Sequence, residues 1–380
     1  MQLKVTYMMS SARILIIGGG IAGLSLAAAL RRRGFNPEVI ERSPHWDPVG
    51  GGIAVQPNAM RTMREIGLDV AVARAGAIVH RWQFLEQQGE VLCDIELEPL
   101  WRDVGPFIGI ERTKLHAALL SGAGSCRLGT SIIALSADDR CVSVKFSDGS
   151  AGAYDLVVGA DGIHSTVRRL AFDATPPVYG RQMVWRSIAP IRTVQADSIQ
   201  FWVGEGCFFG LCPVGEGHTY GFGNVTGPRT HDRVEGRLDR LRRLFYGFGE
   251  PIRNYLGSLE RDDQIHCGPI EWLDAEWWHN GRFALIGDAA HAGSPMMGQG
   301  GGMAMEDALV LAQTVQSADD VQRALEMFAA RRRPRVAWVR EQSRTVGNML
   351  AMPPRARNAA LRERGKRAFY ERFRPLTAAP

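Results

Sequence analysis

The sequence predicts an α/β protein. A discontinuous Rossmann-like domain is interrupted by a mainly antiparallel sheet and followed by a helical C-terminal segment. Three observations predict this fold class. A strand, a glycine-rich turn and a helical stretch open the chain, strand patterns fill its middle, and a second glycine-rich turn follows about 270 residues after the first. The chain has 380 residues, enough for two or three domains.

The first motif is a strand, a glycine turn and a helix. The apolar run 13–17 leads into Gly18, Gly20 and Gly23, spaced as G-x-G-x-x-G, and then into an Ala/Leu-rich stretch. In this pattern Gly18 permits the tight turn, Gly20 lets a pyrophosphate approach the backbone, and Gly23 lets the helix pack on the strand. The helix N-terminus would attract the phosphates.

An acidic residue completes this motif. Glu41 follows the second predicted strand, 38–40, eighteen positions after the last glycine. A carboxylate at this place accepts hydrogen bonds from an adenosine ribose and repels a 2′-phosphate. The nucleotide predicted for this site is therefore FAD or NAD rather than NADP.

Two later motifs distinguish between FAD and NAD. Asp161 follows a buried-strand pattern, and a further apolar strand, 283–286, leads to Asp288 and to a glycine turn at 298–302 that opens a helix. A dehydrogenase needs one such turn, so a second one indicates a long cofactor that lies across the domain. The chain has no second G-x-G-x-x-G, which argues against reductases with two dinucleotide-binding domains.

Together these motifs resemble the FAD-dependent aromatic hydroxylases, the group A flavoprotein monooxygenases of the para-hydroxybenzoate hydroxylase fold. The resemblance covers nearly the whole chain and rests on the fingerprint at 18–23, Gly51-Gly52-Ile53 with Pro57-Asn58, Asp161-Gly162, and Gly287-Asp288. We expect an FAD-binding domain over 10–75, 101–175 and 266–330, a substrate domain over 76–100 and 176–265, and a helical segment over 331–380.

The resemblance also implies roles in FAD binding. Glu41 would bind the adenosine ribose, Asp288 the ribityl chain, and the second glycine turn the flavin ring. Arg112 matches an arginine that reaches the phosphate and ribityl region, and Ile132 matches a backbone contact to adenine. The predicted cofactor-binding residues are Gly18, Gly20, Gly23, Glu41, Arg42, Arg112, Ile132, Asp161, Asp288, Pro295, Gly298, Gly300, Gly301 and Gly302.

The activity that the resemblance implies is oxygenation. NADH or NADPH, bound transiently, would reduce the flavin, and O₂ would add to give a C4a-hydroperoxide that hydroxylates or epoxidises the substrate. Two alternatives stay open, a halogenase-like flavoprotein and a flavin-binding regulator. A halogenase needs a W-x-W-x-I-P motif, whereas residues 185–190 read WRSIAP, and a regulator needs no open substrate pocket.

The substrate is expected at the inserted sheet, which is rich in aromatic residues. Strand patterns at 81–85, 91–95, 199–203, 207–212 and 220–225 alternate with Gly, Pro and Glu turns. Aromatic side chains suit a flat apolar ring, although sheet packing is the simpler explanation for any one of them. We predict that a small planar aromatic or heteroaromatic substrate contacts Trp185, Phe208, Phe209 and Tyr220.

Few residues are candidates for catalysis. Tyr220 and His218 lie in the predicted sheet and are candidates for proton transfer, and Arg186 would pair with a substrate carboxylate or phenolate or else form a structural ion pair. His291 is expected to form loop hydrogen bonds. The remaining histidines that offer no constellation are His45, His116, His231, His266 and His279.

Composition and charge restrict the partners. The six cysteines form no C-x-x-C pair, so no metal site or disulfide framework is predicted and a cytoplasmic location fits best. No apolar run is long enough for a transmembrane segment. The net charge of +5 arises from residues 331–374, which predicts solvated helix faces or a surface that attracts a phosphate-bearing cosubstrate, and no nucleic acid. We expect a monomer or homodimer.

Overall fold

Two large sheets organise the computed structural model, which describes residues 12–46, 51–172, 174–192, 195–274 and 276–380. The strands are β1 (Ile14–Ile17), β2 (Glu38–Ile40), β3 (Gly52–Val55), β4 (Ala77–Val79), β5 (Arg81–Glu86), β6 (Val91–Glu96), β7 (Phe107–Glu111), β8 (Ile132–Ala137), β9 (Val142–Phe146), β10 (Ala151–Tyr154), β11 (Leu156–Gly159), β12 (Val178–Ala189), β13 (Ser198–Val203), β14 (Cys207–Pro213), β15 (Thr219–Thr226), β16 (Ile265–Trp272), β17 (His279–Asn280) and β18 (Phe283–Leu285).

Helices cover both sheets and form the C-terminal part of the chain. They are α1 (Ile21–Arg31), α2 (Pro57–Glu65), α3 (Asp69–Ala75), α4 (Glu98–Trp101), α5 (Arg112–Ala123), α6 (Thr166–Ala171), α7 (Arg237–Leu244), α8 (Glu250–Gly257), α9 (Asp288–His291), α10 (Gly300–Ser317), α11 (Val321–Leu350) and α12 (Pro354–Phe373). Within the described ranges, no helix is both long and apolar enough to cross a membrane.

The five-stranded sheet has the order β17-β18-β11-β1-β2, and β1 pairs in parallel with both β2 and β11. Strand β1 is buried on both faces. Ile14 and Ile16 pack toward the core that contains α1, while Leu15 and Ile17 pack toward the small sheet β10-β9-β8. Coverage of both faces explains why the strand is a continuous apolar run rather than an alternating one.

The seven-stranded sheet has the order β16-β12-β15-β14-β13-β5-β6 and is antiparallel except for the parallel pair β13 and β5. The predicted α/β class with an inserted, mainly antiparallel sheet is therefore confirmed. One boundary needs correction: β16 pairs with β12 over Ile265–Trp272, so this strand belongs to the inserted sheet although the predicted boundary falls at residue 266. Backbone pairing across the sheet decides this, and the local sequence does not reveal it.

The C-terminal segment is helical, as predicted, but its first helix begins earlier. Helix α11 starts at Val321 and continues through Pro334 to Leu350. A proline removes the hydrogen bond to the carbonyl four residues earlier, here that of Ala330. Because Ala330 is exposed, water can satisfy that carbonyl, and the helix continues. Pro354 occupies the first turn of α12, a position that tolerates proline.

Candidate active site

The first glycine turn leaves open space at one position. Gly18 has φ +112°, and a Cβ there would lie 2.4 Å from the carbonyl oxygen of Ala160. A Cβ at Gly23 would lie 1.9 Å from the oxygen of Gly18, so this glycine permits close packing of α1. At Gly20, by contrast, a Cβ would meet no described atom within 4 Å. The backbone is thus open at the position where the fingerprint requires a phosphate to approach.

Glu41 lies against this turn. Its Oε2 accepts a hydrogen bond of 2.8 Å from the Gly19 amide, and its Oε1 accepts one of 3.0 Å from the Ser43 amide. His116, which the sequence did not single out, places Nε2 2.9 Å from the Gly19 oxygen and packs 4.9 Å from the ring of Trp46. Helix α5 brings His116 to this turn from 97 residues away, so local sequence could not indicate the contact.

The second glycine turn lies beside a cleft. Strand β18 ends just before Gly287, which has φ +60°, and exposed Asp288 begins α9. Helix α10 begins at Gly300, where an added Cβ would contact none of the described atoms within 4 Å. The predicted cofactor residues that line the cleft are Arg112, Asp288, Pro295, Gly298, Gly300 and Gly301.

Gly302 has a packing role. A Cβ there would lie 2.7 Å from Gln299 Oε1 and 3.4 Å from Asn58 Nδ2. Gln299 in turn exchanges hydrogen bonds of 3.0 Å with Asn58, and Asn58 donates one of 3.0 Å to Glu306. This glycine therefore makes room for a buried polar network beneath the turn, and contact of Gly302 with the flavin ring stays a prediction.

Buried charges fix this network to helix α11. Arg332 is fully buried and donates to Glu306 Oε2 at 2.7 Å and to Asp307 Oδ1 at 2.8 Å. Although burial alone would raise the pKa of Glu306, the guanidinium of Arg332 holds it below its usual range. Asp307 also accepts from the Gly287 amide at 2.9 Å and lies 2.6 Å from His291 Nε2. His291 is thus a hydrogen-bonding residue, as expected.

Three other predicted cofactor residues, Asp161, Ile132 and Arg42, are not among the residues that line the cleft. Asp161 accepts hydrogen bonds from Ser165 Oγ and from the first amides of α6, and it thereby caps that helix. Burial raises the pKa of Asp161, and these hydrogen bonds oppose the increase. Ile132 is buried in the core between β8 and the parallel sheet. Arg42 is exposed next to Glu41. Contact of these three residues with a cofactor stays a prediction.

The cleft has a volume of about 580 Å³ and separates the second glycine turn from the seven-stranded sheet. On five strands the sheet residues that line it alternate, since neighbouring side chains point to opposite faces. They are Trp82 and Phe84 on β5, Val184 and Arg186 on β12, Ile199 and Phe201 on β13, Phe208 and Cys212 on β14, and Tyr220, Phe222 and Asn224 on β15. Strand β16 adds His266 and the consecutive residues Pro269, Ile270 and Glu271.

This alternation corrects two predicted substrate contacts. Phe208 and Tyr220 line the cleft, as predicted. Trp185 and Phe209 lie on the opposite face, in a core with helices α7 and α8, and are 8% and 1% exposed. Trp185 neighbours Arg186 and Phe209 neighbours Phe208 along the chain, so the pleat directs only one residue of each pair toward the cleft.

Arg186 and Tyr220 form the polar centre of the sheet wall. The two groups lie close enough for the Arg186 guanidinium to lower the pKa of the Tyr220 phenol. Desolvation raises the pKa of Tyr220, against the opposing effect of Arg186, so the phenol stays protonated at neutral pH. A Cβ at Gly52 would lie 2.4 Å from the Tyr220 ring, so only glycine lets β3 approach this side chain. Arg112 also lines the cleft, and its pKa is lowered by desolvation against the attraction of Asp288.

Two histidines, His266 and His218, lie in surroundings that the sequence did not predict. His266 pairs with Arg186 across the β12 and β16 register and lines the cleft, although its sequence context indicated no role. Desolvation and the charge of Arg186 lower its pKa, so it is neutral at pH 7. His218 lies outside the cleft lining and contacts Glu111 at 3.0 Å, in an ion-pair cluster with Lys114. These contacts give His218 a structural partner, and its role in proton transfer stays a prediction.

The residues fit an FAD molecule. Open backbone at Gly20 and Gly300 leaves room at the two places where the pyrophosphate and the flavin ring would approach. Helix α10 points its first amides at the second place, and such amides stabilise negative charge. Arg112 has a cleft-lining guanidinium suited to a phosphate. When bound, FAD would supply redox chemistry that these side chains do not have.

Comparison with known proteins agrees with this geometry. The family model for an FAD binding domain matches residues 11–343. The chain is 35% identical over 322 residues to an aurachin C monooxygenase/isomerase of Stigmatella aurantiaca, covering 83% of this chain and 84% of that protein. It is 33% identical over 336 residues to an FAD-dependent urate hydroxylase of Klebsiella pneumoniae, covering 85% and 86%.

A solved structure is also similar. Klebsiella pneumoniae HpxO complexed with FAD and uric acid matches with a TM-score of 0.88 and 27% identity, over 96% of this chain and 97% of that one. The structural match extends over both large sheets and the C-terminal helices, because nearly the whole of each chain is covered. The chain therefore belongs to the FAD-dependent aromatic hydroxylases and is an FAD-dependent monooxygenase of the group A flavoprotein family.

Proposed function

We propose that the protein uses NADH or NADPH and O₂ to hydroxylate or epoxidise a planar aromatic or heteroaromatic substrate. One observation carries this proposal: the cleft has the flavin-side glycine turn on one wall and an aromatic sheet face with Arg186 and Tyr220 on the other. In a hydroxylation, substrate, O₂, NAD(P)H and a proton give hydroxylated substrate, NAD(P)⁺ and water. The flavin would contribute a C4a-hydroperoxide as the source of oxygen.

The side chains of the cleft have distinct roles in this proposal. Arg186 holds a carboxylate, phenolate or similar anionic oxygen of the substrate. Tyr220, protonated because burial raises its pKa, lies beside Arg186 and donates a hydrogen bond to the substrate. His266 is neutral at pH 7 and accepts a proton from a ring hydroxyl. Phe208 and Phe222 pack against the ring and exclude water.

Incubation under ¹⁸O₂ tests the proposal. FAD-loaded protein is given NADH or NADPH with a panel of phenols and heteroaromatics, and coenzyme oxidation, H₂O₂ release and product mass are measured. We expect a substrate that accelerates coenzyme oxidation and gains one ¹⁸O atom. Oxidation that yields only H₂O₂ with every compound would contradict hydroxylation, and absence of any coenzyme oxidation under O₂ would favour the flavin-binding regulator. A cytoplasmic location and a monomer or homodimer belong to the same proposal.

A further inference from the structure

Helix α11 contributes a stripe of side chains to the cleft. The stripe consists of Val336, Val339, Ser343, Val346 and Leu350, and the adjacent Arg340 also lines the cleft. The spacing of the stripe residues, three and four positions, places them on one face of the helix. At 1.5 Å per residue, the stripe is about 20 Å long. Four of the five side chains are aliphatic, so this wall is apolar over nearly its whole length.

The residues opposite the stripe are also mostly apolar. Val184, Pro269 and Ile270 line the cleft from β12 and β16, and Met296 lines it from the turn that precedes α10. Met296 lies close to α11, because a Cβ at Gly347 would be 3.8 Å from its Cγ. The cleft therefore continues between sheet and helix as an apolar slot, defined here as the space lined by the α11 stripe and these four residues.

Charges are unevenly distributed along the cleft. Arg340 lies on α11, but it is held by Glu276 at 2.8 Å and by the Leu273 carbonyl at 2.8 Å. Glu271 is paired with Arg229 at 3.1 Å. Arg112 and Arg186, in contrast, make no salt bridge with a described carboxylate within 4 Å, and both belong to the end near Asp288 and Tyr220. The cleft thus has a cationic end and an apolar slot.

A planar ring alone would leave most of the apolar slot unfilled. A fused bicyclic ring is less than half as long as the stripe, and water left in an apolar slot has few hydrogen-bond partners. Apolar atoms that displace this water gain free energy roughly in proportion to the area they bury. A ligand that is complementary to both the cationic end and the apolar slot has a polar ring at one end and an extended hydrocarbon at the other.

We propose that the natural substrate is amphiphilic: a planar ring that carries a long, linear apolar chain, with the ring at Arg186 and Tyr220 and the chain along the α11 stripe. The placement of the ring rests on the function proposed above. The placement of the chain rests on the slot alone. Val346 and Leu350 then determine which chain lengths are accepted.

A series of 4-n-alkylphenols tests this proposal. FAD-loaded protein is titrated with 4-methyl-, 4-propyl- and 4-heptylphenol, and Kd is measured from the change in flavin absorbance. We expect Kd to fall roughly twofold to fourfold for each added methylene. Val346→Phe fills the slot and should weaken 4-heptylphenol about tenfold or more while 4-methylphenol changes less than about twofold. Asn348→Phe, at an exposed position of the same helix, is the matched control.

The outcomes separate the two proposals. Equal Kd values for methyl- and heptylphenol, or no binding of heptylphenol, would overturn the amphiphilic substrate. Chain-length-dependent binding would support the slot, and if no compound of the ¹⁸O₂ panel were oxygenated the proposed function alone would be overturned. If Val346→Phe lowers the melting temperature too far to be assayed, Leu350→Trp, at a partly exposed position, provides the same measurement. Loss of length dependence there supports the slot, and its retention contradicts it.

Discussion

On one face of the seven-stranded sheet, Phe208 and Tyr220 are partly exposed and line the cleft. On the other face, Phe209 and Trp185 are buried beneath α7 and α8. The two sets have similar composition and are interleaved in the sequence. Their surroundings differ. One face meets open space and the guanidinium groups of Arg112 and Arg186, which make no salt bridge with a described carboxylate, whereas the other meets closely packed apolar side chains. Aromatic content by itself therefore does not distinguish a binding surface from a core.

The largest expected effect is the loss of folding stability when a residue of the buried face is truncated. Phe209→Ala should lower the free energy of unfolding by about 3–5 kcal/mol, because it removes a fully buried ring and leaves a cavity. Phe208→Ala should cost less than half as much and should instead weaken substrate binding. Urea denaturation of both variants, together with substrate titration of Phe208→Ala, checks the comparison. Equal losses of stability would show that the two faces are both structural.

On the cleft face, Arg186→Gln should have the next largest effect, a loss of affinity for an anionic substrate. Loss of a charge-assisted hydrogen bond is worth about 1.5–3 kcal/mol, so a phenolate or carboxylate substrate should bind roughly 10- to 150-fold more weakly. Arg181→Gln, at an exposed position of the same strand, is the control. Unchanged Kd for an anionic ligand in Arg186→Gln would assign Arg186 to the structure of the sheet rather than to binding.

Tyr220→Phe should have a smaller effect on affinity and a clear effect on coupling. The missing hydroxyl removes one hydrogen bond, worth about 0.5–1.5 kcal/mol or roughly 2- to 13-fold in Kd. Coenzyme oxidation should continue while more of the O₂ appears as H₂O₂, since the ring is held less firmly. Tyr246→Phe, where the side chain is 79% exposed, should leave coupling unchanged. Full coupling in Tyr220→Phe would exclude an orienting role.

His266→Asn tests proton transfer through the pH dependence of oxygenation. Desolvation lowers the pKa of His266 below its ordinary value of 6.5, so the wild-type imidazole becomes protonated, and oxygenation decreases, only as pH falls below 6.5. The variant should lose this acid limb in a kcat/KM profile. His279→Asn, which alters another histidine of lowered pKa outside the cleft lining, should retain the limb. An unchanged profile in His266→Asn would remove His266 from proton transfer.

Much of the fold could be predicted because its signals are local. The turn at 18–23, the strand–turn–helix pattern around Asp288 and the strands of the inserted sheet each depend on residues adjacent in the chain. Glycine at Gly18 and Gly23 is required by backbone conformation and close packing, and such requirements can be recognised in a single sequence. The contacts of His116, Asn58 and His266 join elements far apart in the chain, so no local sequence pattern predicts them.

The sequence by itself determined the α/β class, the glycine turns that fit FAD, and the presence of an aromatic sheet, since periodicity and glycine spacing express backbone geometry directly. Tertiary structure alone decided which aromatic residues face the cleft, where Gly302 and His218 lie, and that α11 forms a wall. These depend on strand register and on helix packing. A change of one residue in register exchanges the two faces of a strand, and the composition of the strand stays the same.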